Sequence, residues 1–129
     1  MSTARLRLNA MEEVSVEKPE GTLKKPRTKP LKPEVAPYVI VRGYGAGVHA
    51  GELHHFDGSP HVTLLHTRRI WRWEGAASLS ELALYGSSAP KGCKIAVELP
   101  RVEILDACEI NYCGAEGELF LRTAYVWRA

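Results

Sequence analysis

Apolar residues are unevenly distributed along the chain, and their spacing predicts a β-rich domain that begins at residue 38. The run YVIVR at residues 38–42 is β-branched and apolar, which is typical of a buried strand. Three glycines between residues 43 and 47 favour a turn, and a second strand is predicted over residues 48–56. The turn signal DGSP at residues 57–60 leads into HVTLLH, which we expect to pair with that second strand.

The segment SLSELALYG at residues 78–86 carries the clearest helix signal in the chain. Ser78 and Glu81 have the spacing of a capping box, and Gly86 is placed to end the helix. The predicted buried stripe of this helix consists of Leu79, Leu82 and Ala83.

Further strands are predicted at residues 94–99 and 101–112. The C-terminal GELFLRTAYVWRA, residues 117–129, is compatible with a strand or a short helix, and we favour the strand. The sequence therefore predicts an α+β, mainly β fold. We expect a small antiparallel sheet or partly open barrel with one short helix, preceded by an extended N-terminal arm.

Composition divides the chain into two parts. Residues 1–37 hold five of the eight prolines and have eight Lys/Arg against five Glu, whereas residues 38–129 have nine against ten acidic residues. Their net charges are therefore +3 and −1, so the basic pI reflects the N-terminal part. Regularly spaced prolines disfavour helix and central strand and favour a polyproline II spacer. We predict a Pro/Lys-rich arm at 1–37 and a small β-rich globular domain at 38–129.

The positive charge of the arm invites three interpretations. It could be a disordered solubilising tail, an arm that threads along a neighbouring subunit or acidic surface, or a segment that binds nucleic acid. Aromatic residues that could stack on bases are absent from it, which argues against nucleic acid. The predicted interface residues of the arm are Lys24, Lys25, Arg27, Lys29 and Lys32.

No residue pattern indicates a metal site or catalysis. Five histidines are scattered without the pairwise spacing of zinc ligands, and the glycines of GYGAG precede a predicted strand instead of a helix. An odd number of cysteines (Cys93, Cys108 and Cys113) cannot all pair within one chain. We therefore expect a non-enzymatic protein without cofactor or metal. No secretory signal or membrane span is evident.

RRIWRW at residues 68–73 is the richest candidate for binding. On a regular strand, Arg69, Trp71 and Trp73 share one face. Three roles remain open for this face: tryptophans packed in the core with arginines at the rim, an interface with a partner subunit, or a site for a small ligand that combines phosphate and purine. Together with Tyr44 and His49 of the glycine-rich stretch, these residues form the predicted ligand or partner face.

Three separated motifs resemble a family of small proteins encoded by tailed bacteriophages. They are YVIVRGYGAGVHAGEL, TRRIWRWEGAASLSELA and PKGCKI, and they cover residues 38 to about 105 in the same order. The resemblance implies a phage origin, and neither the arm nor most of the C-terminal third is part of it. The positions that it marks for testing are Tyr38, His49, Gly51, Arg69, Trp71, Gly75, Ser78 and Cys93.

We therefore expect a virion accessory protein, a capsid- or tail-decorating subunit that attaches to its neighbours through the arm. Its expected partners are other phage structural subunits and further copies of itself, with no membrane and no nucleic acid. Its expected location is the virion, or the host cytoplasm during infection. The alternative is a small oligomeric phage protein that binds a host nucleotide or metabolite signal in counter-defence.

Overall fold

A computed structural model describes residues 35–129, so the interface residues predicted in the arm lie outside the described part of the chain. The described residues form one six-stranded antiparallel sheet and two short α-helices, which confirms the predicted fold class. No helix between residues 35 and 129 is long and apolar enough to cross a bilayer. The strands are β1 (Tyr38–Gly43), β2 (Gly47–Phe56), β3 (Val62–Arg72), β4 (Lys94–Ile95), β5 (Leu99–Ile104) and β6 (Ala107–Tyr112), and the helices are α1 (Leu79–Tyr85) and α2 (Ala115–Thr123).

The sheet is strongly curled. Its strand order is β4-β3-β2-β1-β6, and β5 pairs with the same edge of β3 as β4 does. The strands β5 and β6 therefore belong to opposite edges, yet only two residues, Leu105 and Asp106, connect them. So short a connection forces the two edges towards each other at this corner. The result is an open, curled sheet with a concave and a convex face.

Strand β1 is apolar because both faces of the sheet are covered there. Its alternate side chains enter two separate cores, and each fully buried aliphatic side chain contributes about 1.5–3 kcal/mol. The buried convex core, which lies beneath the helices, contains Tyr38, Ile40, Ala50, Ile70, Leu79, Leu82, Ala83, Ile95 and Leu121. The buried concave core contains Val39, Val41, Val62, Leu64 and Ile104.

Helix α1 has the predicted start and end. The hydroxyl of Ser78 accepts the Glu81 backbone N–H at 3.2 Å, and the Glu81 carboxylate accepts the backbone N–H of Ala77 at 2.8 Å. Gly86 ends the helix with a φ of 76° and donates its N–H to the Leu82 carbonyl at 2.9 Å. The buried positions are the predicted ones. The local sequence is therefore sufficient to define this element.

Most of the C-terminal segment forms helix α2, Ala115–Thr123. The strand predicted at residues 117–129 is therefore wrong, apart from an isolated bridge at Val126. Acidic Glu116 and Glu118 lie in its first turn, and Arg122 lies in its last, which suits the helix dipole. Glu118 also accepts a 2.8 Å hydrogen bond from Arg122, four residues on. Only two of its nine residues are buried, so the sequence carries little helical periodicity.

Two other strand predictions need correction. The strand predicted at 94–99 is reduced to the two residues of β4, and the one predicted at 101–112 is interrupted between β5 and β6. Asp106 holds this interruption against the β1–β2 loop. Its carbonyl accepts the Tyr44 N–H at 3.1 Å, and its carboxylate accepts the N–H of Gly45. These contacts are distant in sequence, so no local turn signal marks the break.

Arg68 is buried in β3 and ties the C-terminal part of the domain to the sheet. Its guanidinium donates to the Ala96 and Leu121 carbonyls at 2.8 Å each, and to the Ile95 and Tyr125 carbonyls at 3.4 and 3.3 Å. Burial lowers the pKa of Arg68. The four carbonyls accept the hydrogen bonds that water would accept from an exposed guanidinium.

Candidate functional site

A β-bulge decides which side chains of β3 reach the concave face. His66 has a φ of 49°, a left-handed conformation that is uncommon for a residue with a side chain. The β2–β3 register shifts next to it, between Ala50 and Glu52, where a Cβ on Gly51 would lie 3.0 Å from the Leu65 carbonyl oxygen. The bulge inserts one extra residue, so the side chains after it face the opposite side of the sheet from the one that strict alternation would give. The residues of β3 that face the concave side are Val62 and Leu64 before it and Thr67, Arg69 and Trp71 after it.

The residues after the bulge line a cavity of about 190 Å³ at one end of the concave face, which we call the rim pocket. His49 of β2 lies directly opposite Arg69 of β3 in the register of the sheet. The segment that connects β4 to β5 supplies much of the remaining wall. The complete lining is His49, Thr67, Arg69, Trp71, Ala96, Val97, Leu99 and Val102.

His49 is buried in this pocket, with 3% of its surface exposed. Its Nε2 lies 2.8 Å from the carbonyl oxygen of Ala46. A carbonyl can only accept, so Nε2 carries the proton and Nδ1 is left as an acceptor. Burial lowers the pKa of His49, and the nearby Arg69 charge acts in the same direction. The imidazole is therefore neutral at pH 7.

Arg69 and Trp71 form the exposed rim of the pocket. The guanidinium carbon of Arg69 lies 5.4 Å from the centre of the Trp71 ring, within the range of a cation–π contact. Trp71 is 60% exposed. No acidic side chain among residues 35–129 forms an ion pair with Arg69. The rim thus presents a positive charge beside an open aromatic surface.

Thr67 lies deeper in the same pocket and is only 2% exposed. Its Oγ1 is buried and has no hydrogen-bond partner among the described residues. A buried hydroxyl without a partner costs about 1–3 kcal/mol, so such groups are rare. Thr67 therefore places an unpaired donor and acceptor behind the wall of the pocket.

The structure brings together three of the five residues predicted for the ligand or partner face, namely His49, Arg69 and Trp71. Trp73 follows the end of β3 and packs against the convex core instead. Tyr44 lies in the β1–β2 turn and is 83% exposed. Sequence reasoning missed Thr67, although extending the same alternation two residues towards the N-terminus would have found it.

Histidine, cysteine and acidic side chains do not gather in threes within the described domain. Between residues 35 and 129, no three His, Cys, Asp or Glu side chains lie close enough to hold a metal ion. The three cysteines are free. Burial raises the pKa of the Cys113 thiol to about 12, so this thiol stays protonated near neutral pH.

Fold and site together define a small curled-sheet domain with a polar pocket at one end of its concave face. The chain belongs to the family described as Domain of unknown function (DUF6948), whose model matches residues 36–121. No curated protein and no solved structure matches the chain. The family match begins one residue before Pro37, so it excludes nearly all of the predicted arm.

Proposed function

We propose that the protein is a non-enzymatic accessory subunit of a tailed-phage particle, held to neighbouring copies by its arm at residues 1–37. The phage setting comes from the sequence resemblance. The family match supports separate roles for arm and domain, because it covers residues 36–121, most of the domain, and leaves out nearly all of the arm. The observation that carries the proposal is the open edge of β6, which offers a place where a neighbour's chain can pair.

Strand β6 is the outermost strand on its side of the described sheet. The N–H of Cys113 donates to the Tyr38 carbonyl at 2.9 Å. Antiparallel pairing alternates, so the backbone groups of Asn111 point towards β1, while those of Ile110 and Tyr112 point away. Such an unpaired row is a template for an added strand.

A groove of about 410 Å³ runs along this edge and supports the same role. Ile110 and Tyr112 of β6 form one side, and Phe56 at the end of β2 and Pro60 of the β2–β3 turn contribute to the other. Phe56 and Tyr112 are about half exposed, at 46% and 58%. Apolar side chains of an added strand would enter this groove at every second position.

The arm contains a segment with the pattern that this edge requires. Residues 3–10 read TARLRLNA, in which apolar Ala4, Leu6, Leu8 and Ala10 alternate with polar residues. Such alternation is typical of a strand with one buried face. The sixteen residues from 22 to 37 would span roughly 50 Å as polyproline II, enough to reach a neighbouring copy. We assign residues 3–10 of a neighbouring copy as the occupant of the β6 edge.

The first prediction concerns the particle. Quantitative mass spectrometry of purified virions should find this polypeptide at a fixed copy number relative to the major capsid protein. Deleting residues 1–36 should leave a folded domain, because the family match and the described fold begin at about this point, but should abolish incorporation. Absence from virions, or unchanged incorporation of the shortened chain, would contradict the proposal.

The second prediction concerns the edge itself. Tyr112→Pro removes the exposed tyrosine ring and a backbone N–H that points away from β1, so the pairing of β6 with β1 is kept and the domain should remain folded. Self-association of the full chain, measured by analytical ultracentrifugation, should be lost in Tyr112→Pro and kept in the control Tyr112→Thr, which retains the N–H. Equal self-association of the two variants would exclude the β6 edge as the attachment site.

A second candidate function is binding of a small host metabolite. One observation favours it: His49, Arg69 and Trp71 line a single pocket. No residue lines both the rim pocket and the groove beside β6, so one protein can carry this function and the assembly role.

A further inference from the structure

We propose that the rim pocket binds a small organic carboxylate whose planar apolar part lies against Trp71. This inference deepens the second candidate function and is independent of assembly through β6. It rests on the charge of the rim, the buried hydroxyl in the pocket wall and the size of the cavity.

The charge of the rim favours a monoanion. Arg69 is the one cationic residue that lines the pocket, and it has no acidic partner among residues 35–129. The other ionisable group in the lining, His49, is neutral and adds no positive charge. A guanidinium fork matches a carboxylate through two parallel hydrogen bonds. Arg69 would neutralise only one of the two negative charges of a phosphate dianion.

Thr67 in the pocket wall can supply a further polar contact. The unpartnered Oγ1 of Thr67 lies behind the pocket wall, and rotation of this side chain towards the cavity would let it donate to a carboxylate oxygen. Thr67 lies two residues before Arg69 on the same face of β3. A ligand oxygen in this position removes the cost of a buried, unpaired hydroxyl. The free Nδ1 of His49 can accept a hydrogen bond from a ligand hydroxyl or amide nearby.

The size of the cavity limits the ligand. A volume of about 190 Å³ corresponds to roughly six water molecules and lies below the 300–1,000 Å³ of pockets for drug-sized ligands. A whole nucleotide would therefore not be enclosed by this cavity. The apolar wall, with Val97 and Leu99 and the exposed face of Trp71, suits a compact planar group.

Benzoate is the probe that tests this inference. The full chain is titrated to about 10 mM, because a ligand of so few atoms is expected to bind in the millimolar range. Backbone amide chemical shifts should change at Thr67, Arg69 and Trp71, with saturation. Benzamide, which has the same shape but no charge, should bind at least tenfold more weakly.

Two variants assign the contacts. Arg69→Gln should weaken benzoate binding at least tenfold, whereas Arg72→Gln, an exposed control on the same strand, should leave it unchanged. Thr67→Val should weaken binding several-fold and raise the Tm of the ligand-free protein by a few degrees, because it removes an unpaired buried hydroxyl. A lower Tm in Thr67→Val would overturn the claim that this hydroxyl is reserved for a ligand.

Three outcomes would overturn the proposal. They are no saturable shift with benzoate, undiminished benzoate binding by Arg69→Gln, and binding of inorganic phosphate without binding of benzoate. Sedimentation of the same samples reports self-association separately. Failure of the pocket and failure of the assembly role are therefore distinguishable.

Discussion

Replacing Gly117 with alanine should destabilise the domain by about 3 kcal/mol, although helix propensity alone predicts a gain of about 1 kcal/mol. Gly117 lies inside α2, where glycine is normally the weaker choice. A Cβ at this position would lie 1.8 Å from the Ala83 carbonyl oxygen and 2.9 Å from that of Leu82. Backbone cannot yield as a side chain can, so α2 would have to move away from α1.

Urea unfolding of Gly117→Ala measures this effect. The matched control is Gly47→Ala, where the added Cβ meets nothing within 4 Å and only a positive φ of 85° opposes it. The control should cost about 1 kcal/mol. A Gly117→Ala protein more stable than the native one would mean that the two helices are not in contact at this point.

Arg68→Met should lower the free energy of unfolding by about 3 kcal/mol, because it leaves buried carbonyls of two segments without a donor. Leu121 lies in α2, and Tyr125 follows it. The C-terminal helix should therefore lose protection first. Amide hydrogen exchange should rise across α2 before it rises in β1.

Arg72→Met provides the control for this variant. Arg72 is on the same strand, but its guanidinium is exposed and pairs with Glu74. An exposed pair of this kind contributes at most about 1 kcal/mol. Similar unfolding free energies for the two methionine variants would show that Arg68 does not support the C-terminal helix.

Local patterns correctly predicted elements whose contacts are close in sequence. Helix α1 followed from Ser78, Glu81 and Gly86, because a cap is satisfied within four residues. The turn after β2 followed from Asp57 and Gly58, since the Asp57 carboxylate accepts the Ser59 N–H two residues on. Alternation along β3 also placed Arg69 and Trp71 on one face, and they do line one pocket.

Helix α2 was missed because its stability comes from the partner it packs on. Its pattern offers only Gly117 and Leu121 as buried positions, and glycine normally argues against a helix. The close approach to Ala83 explains the glycine, but that contact joins residues far apart in the chain. The break between β5 and β6 was missed for a similar reason, since Asp106 is held by the distant β1–β2 loop.

The sequence by itself determined the mainly β composition, the first helix, the contrast in charge between arm and domain, and the residue types at the rim of the pocket. Each depends on composition or on neighbours a few residues apart. Only the tertiary structure decided the curl of the sheet and the site beside it. The bulge at His66 has no local signal, yet it sends Arg68 into the convex core and turns Thr67 and Arg69 towards the cavity. A strand's alternation fixes which residues share a face, whereas pairing with β2 fixes which face that is.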